Sequence, residues 1–405
     1  MKSLLDLDLY QLTMQQLVFH RFSNVDCEYK FVCRNVKGGG EGSGYLFKYV
    51  SRDEIKEALS KLDPLLLDRR ELDYLSRLGY FKNSYLRYLK DFRFDVENDL
   101  TIPKNGEGWD INAKGPWARI IPYETMVLST VNQVFAKNWM EANSVSTEEV
   151  YRVAWERLQD KIDVLKSYVR SCEGGKFGFR LIEFGTRRRL HSAWQTQVIK
   201  YLQEELGENL VGTSNVFSAM QFDLKAIGTF SHVLPMGMQG LVPVQHSARE
   251  AYKIWSREYR GLWGICLPDT LGHKKFFKDF SLELAKLYDG VRHDSGNPVK
   301  FANDIIAMYE GYGIDPREKC IVFSDGLDIP KAIKLHEIFG RKIQCSFGIG
   351  TDLTNDTIVP TPQVVMKMSK SHGQPVAKIS ESKGKNQCAD SLYMEYLKHS
   401  IKNYE

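Results

Sequence analysis

From residue 177 onward the chain repeats one pattern: a short apolar run, a polar or glycine-bearing turn, then a helical segment. Seven runs follow it, "FRLIEFGTRRR", "LVGTSN", "KAIGTFSH", "LWGICLPDT", "DGVRHDSGNP", "CIVFSDGLD" and "IQCSFGIGTD". Short apolar runs separated by helices are the mark of buried strands in parallel βα units. Seven such units predict an irregular α/β barrel, whose chemistry sits at the carboxyl ends of its strands. An open doubly wound sheet would also place a site there. A Gly-Thr pair recurs at residues 185–186, 212–213, 228–229 and 350–351, at unequal spacings that exclude a fixed-period solenoid.

The first third is mixed. "LLDLDLYQLTMQQLVFHRF" has helical spacing, and "DCEYKFVCRN" alternates like a strand before a glycine run that matches neither nucleotide-binding fingerprint. Charged helices fill residues 52–95. A helix is expected over 146–170, with Ser146 and Glu149 at capping-box spacing and Val150, Val153, Leu158, Ile162 and Leu165 on one face. The tail returns to strand-like alternation in "PQVVMKMSK" and "PVAKIS", then a polar helix, and is expected to pack on the N-terminal region or cover a barrel end.

Composition narrows the function classes. With 405 residues, 43% of them hydrophobic, the chain can bury a large core. A net charge of +4 without a Lys/Arg block argues against nucleic acid as partner. Asp6 and Asp8 interrupt the place where a signal peptide needs an apolar core, and no apolar run approaches a membrane span. Seven cysteines without a C-x-x-C pair read as reduced thiols, so a cytoplasmic protein is expected.

The strand ends carry Arg187, Arg188, Arg189, Ser214, His232, Asp269, Arg292, His293, Asp294, Asp325 and Asp328. Each has a bland reading: a triple arginine is more often a solvated helix start, Asp-Gly and Ser-Gly-Asn-Pro are ordinary turns, and a lone histidine is usually structural. Together on one rim they fit a polyanionic sugar phosphate with magnesium. Arginine forks match phosphate or carboxylate, glycines admit phosphate oxygens to backbone amides, and carboxylates beside phosphates hold magnesium.

In this order and spacing, "DLYQLTM", "PYETMVLSTVN", "EFGTRRR", "GTSN", "IGTFSH", "RHDSGNPV", "FSDGLD", "SFGIGTDLTND" and "GQPVAKISESKGK" (373–385) resemble nicotinate phosphoribosyltransferase of the bacterial size class. The resemblance implies an N-terminal α/β domain (1–135), an irregular α/β barrel (136–360) and a C-terminal segment (361–405) returning to the first domain. It implies a cytoplasmic homodimer with shared active sites that joins nicotinate to phosphoribosyl pyrophosphate in NAD biosynthesis. The products are nicotinate mononucleotide and pyrophosphate, and Mg2+ and coupled ATP hydrolysis assist.

Carried over residue by residue, Phe184 and Tyr10 stack on the pyridine ring, Tyr10 coming from the other subunit. Arg187 contacts base and phosphates beside Arg292, and Arg34 reaches the pyrophosphate across the dimer. Asp269 and Asp294 stand near ribose and magnesium pyrophosphate, with catalytic and metal-holding roles. Ser324, Asp325, Gly326, Gly348 and Gly350 cradle the 5′-phosphate. Ser214, where nicotinamide enzymes have an aspartate, would donate to nicotinate's carboxylate and select acid over amide. His232, rather than His246, would take phosphate from ATP. An acidic residue commonly follows that histidine, and here Val233 does, so orientation of the imidazole must come from elsewhere or ATP coupling weakens. The alternatives are a nicotinamide phosphoribosyltransferase and a catalytically impaired ligand-binding paralogue.

Overall fold

Alternation decides the first sheet. Cys27, Tyr29 and Phe31 point inward from a strand that pairs antiparallel with one in which Val364, Met366 and Met368 do the same, in the register Tyr29↔Met368 and Phe31↔Met366. These are β1 (Asp26–Lys37) and β13 (Thr361–Ser371), so the tail completes a sheet begun near the amino terminus. The same sheet holds β2 (Gly40–Glu41), β3 (Leu100–Thr101), β6 (Asn112–Pro116) and β14 (Gln374–Pro375). A hairpin of β4 (Lys104–Asn105) and β5 (Gly108–Trp109) stands apart. Helices Tyr123–Ala142 and Val233–Met238 pack on β13. The chain is seen here in a computed structural model that describes residues 1–172, 174–381, 386, 388 and 390–402. Residues 382–385 of the family-like stretch 373–385 lie outside the described residues, as do 403–405 of the tail.

The second sheet is all parallel. It contains β7 (Leu181–Glu183), β8 (Leu210–Thr213), β9 (Ile265–Cys266), β10 (Gly290–His293), β11 (Cys320–Phe323) and β12 (Gln344–Ile349), in the order β8-β7-β12-β11-β10-β9. Six of the seven expected runs are therefore strands. The seventh, around Ala226, makes only one parallel bridge, to Thr213. It still links the sheet's two edges: the Ile227 N–H donates to Thr213 O at 2.8 Å, and Thr229 Oγ1 donates to Ile265 O at 3.1 Å. The reason it departs from a ladder is the helix Leu9–Arg21, which lies against it. A Cβ on Gly228 would stand 2.9 Å from the Tyr10 amide nitrogen, and Thr13 Oγ1 bonds Thr229 O at 2.8 Å.

The long helix runs Thr147–Val169; Ser146 caps it by accepting from the Glu149 N–H, and Val150, Leu158, Ile162 and Leu165 are buried while Val153 is half-buried. Helix Tyr123–Ala142 passes residue 135 without a break. The tail ends in helix Ser391–Lys402, but "PVAKIS" is not a strand beyond Pro375: it makes isolated bridges at Lys378 and Ile379, the latter to Leu271. Among the described residues no helix is long and apolar enough to cross a membrane.

Candidate active site

The carboxyl ends of β7, β10, β11 and β12 open into a cavity of about 350 Å³. Phe184, Arg187, Arg292, Asp294, Ser324, Gly326, Gly348 and Gly350 line it, with Lys37, Arg188 and Lys331 adding positive charge. Two of the glycines are required by the close approach of Phe184: a Cβ on Gly348 would come 2.4 Å from its ring, and one on Gly350 2.8 Å from its carbonyl oxygen. Gly326 holds a left-handed φ of +59° at the β11 turn, where a side chain would be strained. Arg292 has a buried Nε without an acceptor, a donor that an anion would satisfy. Asp325 lies near His293, off the cavity wall.

The three consecutive arginines separate. Arg187 has a side chain 44% exposed and is held loosely, Nη1 3.2 Å from Glu124 Oε1 and Nε 3.6 Å from Asp8 Oδ2. Tyr10 donates to Glu124 Oε2 at 2.7 Å, and its ring centroid is 5.8 Å from the Arg187 guanidinium carbon. Tyr10 thus meets Arg187 within one chain, whereas the resemblance takes it from the opposite subunit. Arg188 donates to Val364 O and Gln363 Oε1, and burial with the neighbouring Arg187 and Arg34 brings it down to about 10. Arg189 is buried and leaves the site altogether, donating to Asp6 through Nη1 and Nη2 at 2.6 Å each. Arg34 likewise stands near Arg188 of its own chain, with a buried Nε that has no partner. Ser214 is 5% exposed and donates to Asp8 Oδ1 at 2.6 Å, so its proton points to a carboxylate of the protein rather than into the cavity.

The histidine end is built by three segments. His232 immediately precedes helix Val233–Met238, and its Nε2 stands 2.6 Å from Asp269 Oδ1 and 3.6 Å from Asp294 Oδ2. Orientation of the ring, which Val233 cannot supply, comes from Asp269, 37 residues away in sequence. The apolar stretch after His232 has a packing cause: a Cβ on Gly237 would overlap the Trp117 indole at 2.3 Å, and Ser371 Oγ donates to Gly237 O at 2.8 Å. Lys378 is 3% exposed, with Nζ 2.9 Å from Asp269 Oδ2 and 3.6 Å from Asp294 Oδ2. Ser295 Oγ also donates to Asp269 Oδ2. Burial lowers the basicity of His232, and Lys378 adds to that effect against Asp269. Burial pushes Asp269 up, but His232 and Lys378 together hold its carboxyl well below the usual range.

Arg187, Phe184, Arg292, Asp294, Ser324, Gly326, Gly348 and Gly350 therefore share one cavity. His232 and Asp269 adjoin it through Asp294, while Ser214 and Tyr10 reach it through Asp8, Glu124 and Arg187. His232, Asp269 and Asp294 present ligand atoms within 4.8 Å of one another, the donor set of a cation site. Sequence reasoning missed Asp8, Glu124 and Lys378. The first two sit in stretches that look like ordinary helix, and Lys378 in one that looks like an ordinary strand.

A sequence profile of the Nicotinate phosphoribosyltransferase (NAPRTase) family matches residues 179–405, and one of that family's N-terminal domain matches residues 5–132. The chain is 40% identical over 400 residues to a nicotinate phosphoribosyltransferase of Ectopseudomonas mendocina, covering 98% of this chain and 96% of that one. Nicotinate phosphoribosyltransferase 1 of Pseudomonas aeruginosa is also 40% identical over 400 residues, with the same coverage. Among solved structures, a nicotinate phosphoribosyltransferase from Vibrio cholerae superposes with a TM-score of 0.89 at 33% identity, over 99% of this chain and 93% of that one. One from Porphyromonas gingivalis gives 0.88 at 27% identity, over 99% and 100%.

Proposed function

The chain belongs to the nicotinate phosphoribosyltransferase family, and we propose that its cavity couples the family's reaction to ATP through His232. It is an enzyme that forms nicotinate mononucleotide. In the base–sugar step, the bond from C1 of the sugar to pyrophosphate oxygen breaks and a bond to the pyridine nitrogen forms. An oxocarbenium-like transition state of that kind needs positioning and charge stabilisation more than a strong base. Phe184 supplies a face for the ring, and Arg187, only loosely held by Glu124 and Asp8, is available for the carboxylate. Arg292, Ser324 and the Gly326 turn receive phosphate oxygens.

Magnesium, when bound with pyrophosphate, would screen the charge of the leaving group. Asp294 fits it, since its carboxylate lines the cavity and makes only contacts of 3.4–3.6 Å to Arg292, Ser324, Lys378 and His232.

The observation that carries the ATP step is the 2.6 Å contact between His232 Nε2 and Asp269 Oδ1. It fixes the proton on Nε2 and leaves Nδ1 as the nucleophile. Nδ1 takes the γ-phosphoryl group as the bond to the β-phosphate oxygen breaks and ADP leaves; water later releases phosphate. The resemblance extends this reading to a homodimer in the cytoplasm, and seven free cysteines accord with a reducing compartment.

Purified chain incubated with ATP should carry one phosphate on His232 by mass analysis. His232→Ala should still form nicotinate mononucleotide but lose stimulation by ATP. Full stimulation in that variant, or preference for nicotinamide over nicotinate in the wild type, would overturn the reading.

A further inference from the structure

We propose that Lys378 is the resident cation of the histidine end, so that Asp269 serves His232 and holds no magnesium. The exclusion of metal is independent of the ATP step, because metal binding reads it without nucleotide; the effect on kcat rests on that step.

A histidine and two carboxylates with ligand atoms within 4.8 Å look like three of the donors a divalent ion takes. The lone pairs of Asp269 are already directed elsewhere. Asp269 Oδ1 faces His232 Nε2 at 2.6 Å, and Oδ2 receives both the Ser295 hydroxyl and the Lys378 ammonium, the latter at 2.9 Å. The ammonium also stands 3.6 Å from Asp294 Oδ2, between the two carboxylates. Magnesium bound at its usual ~2.1 Å from Asp269 Oδ2 would share that oxygen with an ammonium, two like charges a few ångströms apart.

Lys378 is held between its partners. Lysine is almost never fully buried unless paired, and removing its partner leaves an uncompensated charge. Its backbone is tied to the very segments that carry the histidine and the aspartate. The Ala377 N–H donates to Gln239 Oε1 at 2.9 Å and Gln239 Nε2 donates back to Ala377 O at 2.7 Å; Gln239 closes the helix that follows His232. The Ile379 N–H donates to Thr270 O at 2.9 Å, next to Asp269. The Glu381 carboxylate accepts from the His273 N–H at 2.7 Å. Lys378 is therefore a positioning residue: it cancels part of the charge of two carboxylates beside the ring, so an anionic phosphoryl group can approach, and it keeps Asp269 turned to Nε2.

The test is Mn2+ binding to the purified full chain by electron paramagnetic resonance, without phosphoribosyl pyrophosphate, pyrophosphate or ATP. Wild type and Lys378→Arg should show no Mn2+ site that Asp269→Asn removes. Lys378→Met should gain one, abolished by adding Asp269→Asn. Its kcat with ATP should fall by about 10- to 100-fold, the range for residues that orient another group, while KM for nicotinate stays within about twofold. A wild-type Mn2+ site lost in Asp269→Asn would overturn the proposal even if Lys378→Met fails to fold. So would a folded Lys378→Met chain that binds no Mn2+ and keeps its kcat.

Discussion

Two short segments, one near each end of the chain, are bonded to the barrel and deliver charge to it in opposite ways. The N-terminal segment, residues 5–9, is bonded to the turn after β8 through Leu9 N–H to Ser214 O, Val216 N–H to Leu7 O and Phe217 N–H to Leu5 O. It inserts Asp6 opposite Arg189, one carboxylate to one guanidinium, two bonds of 2.6 Å, both partners buried. The C-terminal segment, residues 376–381, inserts one ammonium between two carboxylates and a histidine. A pair compensated charge for charge, with Gln195 and Asn215 bonded to it as well, serves the fold. An open cluster, with charge unequal to its partners, is where chemistry can enter.

The difference is broken most severely at the compensated pair. Asp6→Asn leaves Arg189 buried without its carboxylate and should cost about 3–5 kcal/mol in denaturant unfolding. Burial pushes the Asp6 carboxyl up, but Arg189 outweighs it and the folded-state pKa is depressed. Its contribution is thus complete above the ordinary carboxylate range and lost as pH falls below it, so the variant should lose less stability in acid than the wild type. A cost under about 1 kcal/mol would show that the first segment is not pinned there.

Next in size comes Arg187→Ala. A charge-assisted bond to nicotinate's carboxylate is worth about 1.5–3 kcal/mol, so KM for nicotinate should rise roughly tenfold or more, with stability little changed because the native contacts are long. An unchanged KM would place the substrate's carboxylate elsewhere.

The smallest effect should follow Ser214→Ala. With its hydroxyl donating to Asp8, loss of the side chain should cost about 1 kcal/mol of stability and leave the nicotinate-to-nicotinamide preference within about threefold. A collapse of that preference would mean that Ser214 turns to the substrate when it binds.

What could be read from the sequence was whatever a few neighbouring residues decide. The apolar runs that became β7, β8, β10, β11 and β12 announced themselves, as did Ser146 before its helix, because periodicity and capping are local. The Ala226 run looks like a strand as well, but Tyr10 and Thr13 of a distant helix lie against it. Arg187 and Arg189 are indistinguishable in "TRRR"; which one is buried depends on Asp6, distant in sequence. The partner of His232 was sought at position 233 and lies at 269. Lys378, in a stretch with ordinary alternation, carried no signal because its meaning comes wholly from two carboxylates on other strand ends.

The pairing of β1 with β13 joins residues such as Tyr29 and Met368, and the chain leaves β13 only to return with Lys378. During synthesis the barrel strands, His232, Asp269 and Asp294 all exist before that lysine does. Until residue 378 has been made and the tail has closed the first sheet, the histidine end holds two carboxylates with no internal cation between them. A chain cut short before Lys378 would then, on the proposal above, be open to divalent ions at the place where the complete cluster carries an ammonium.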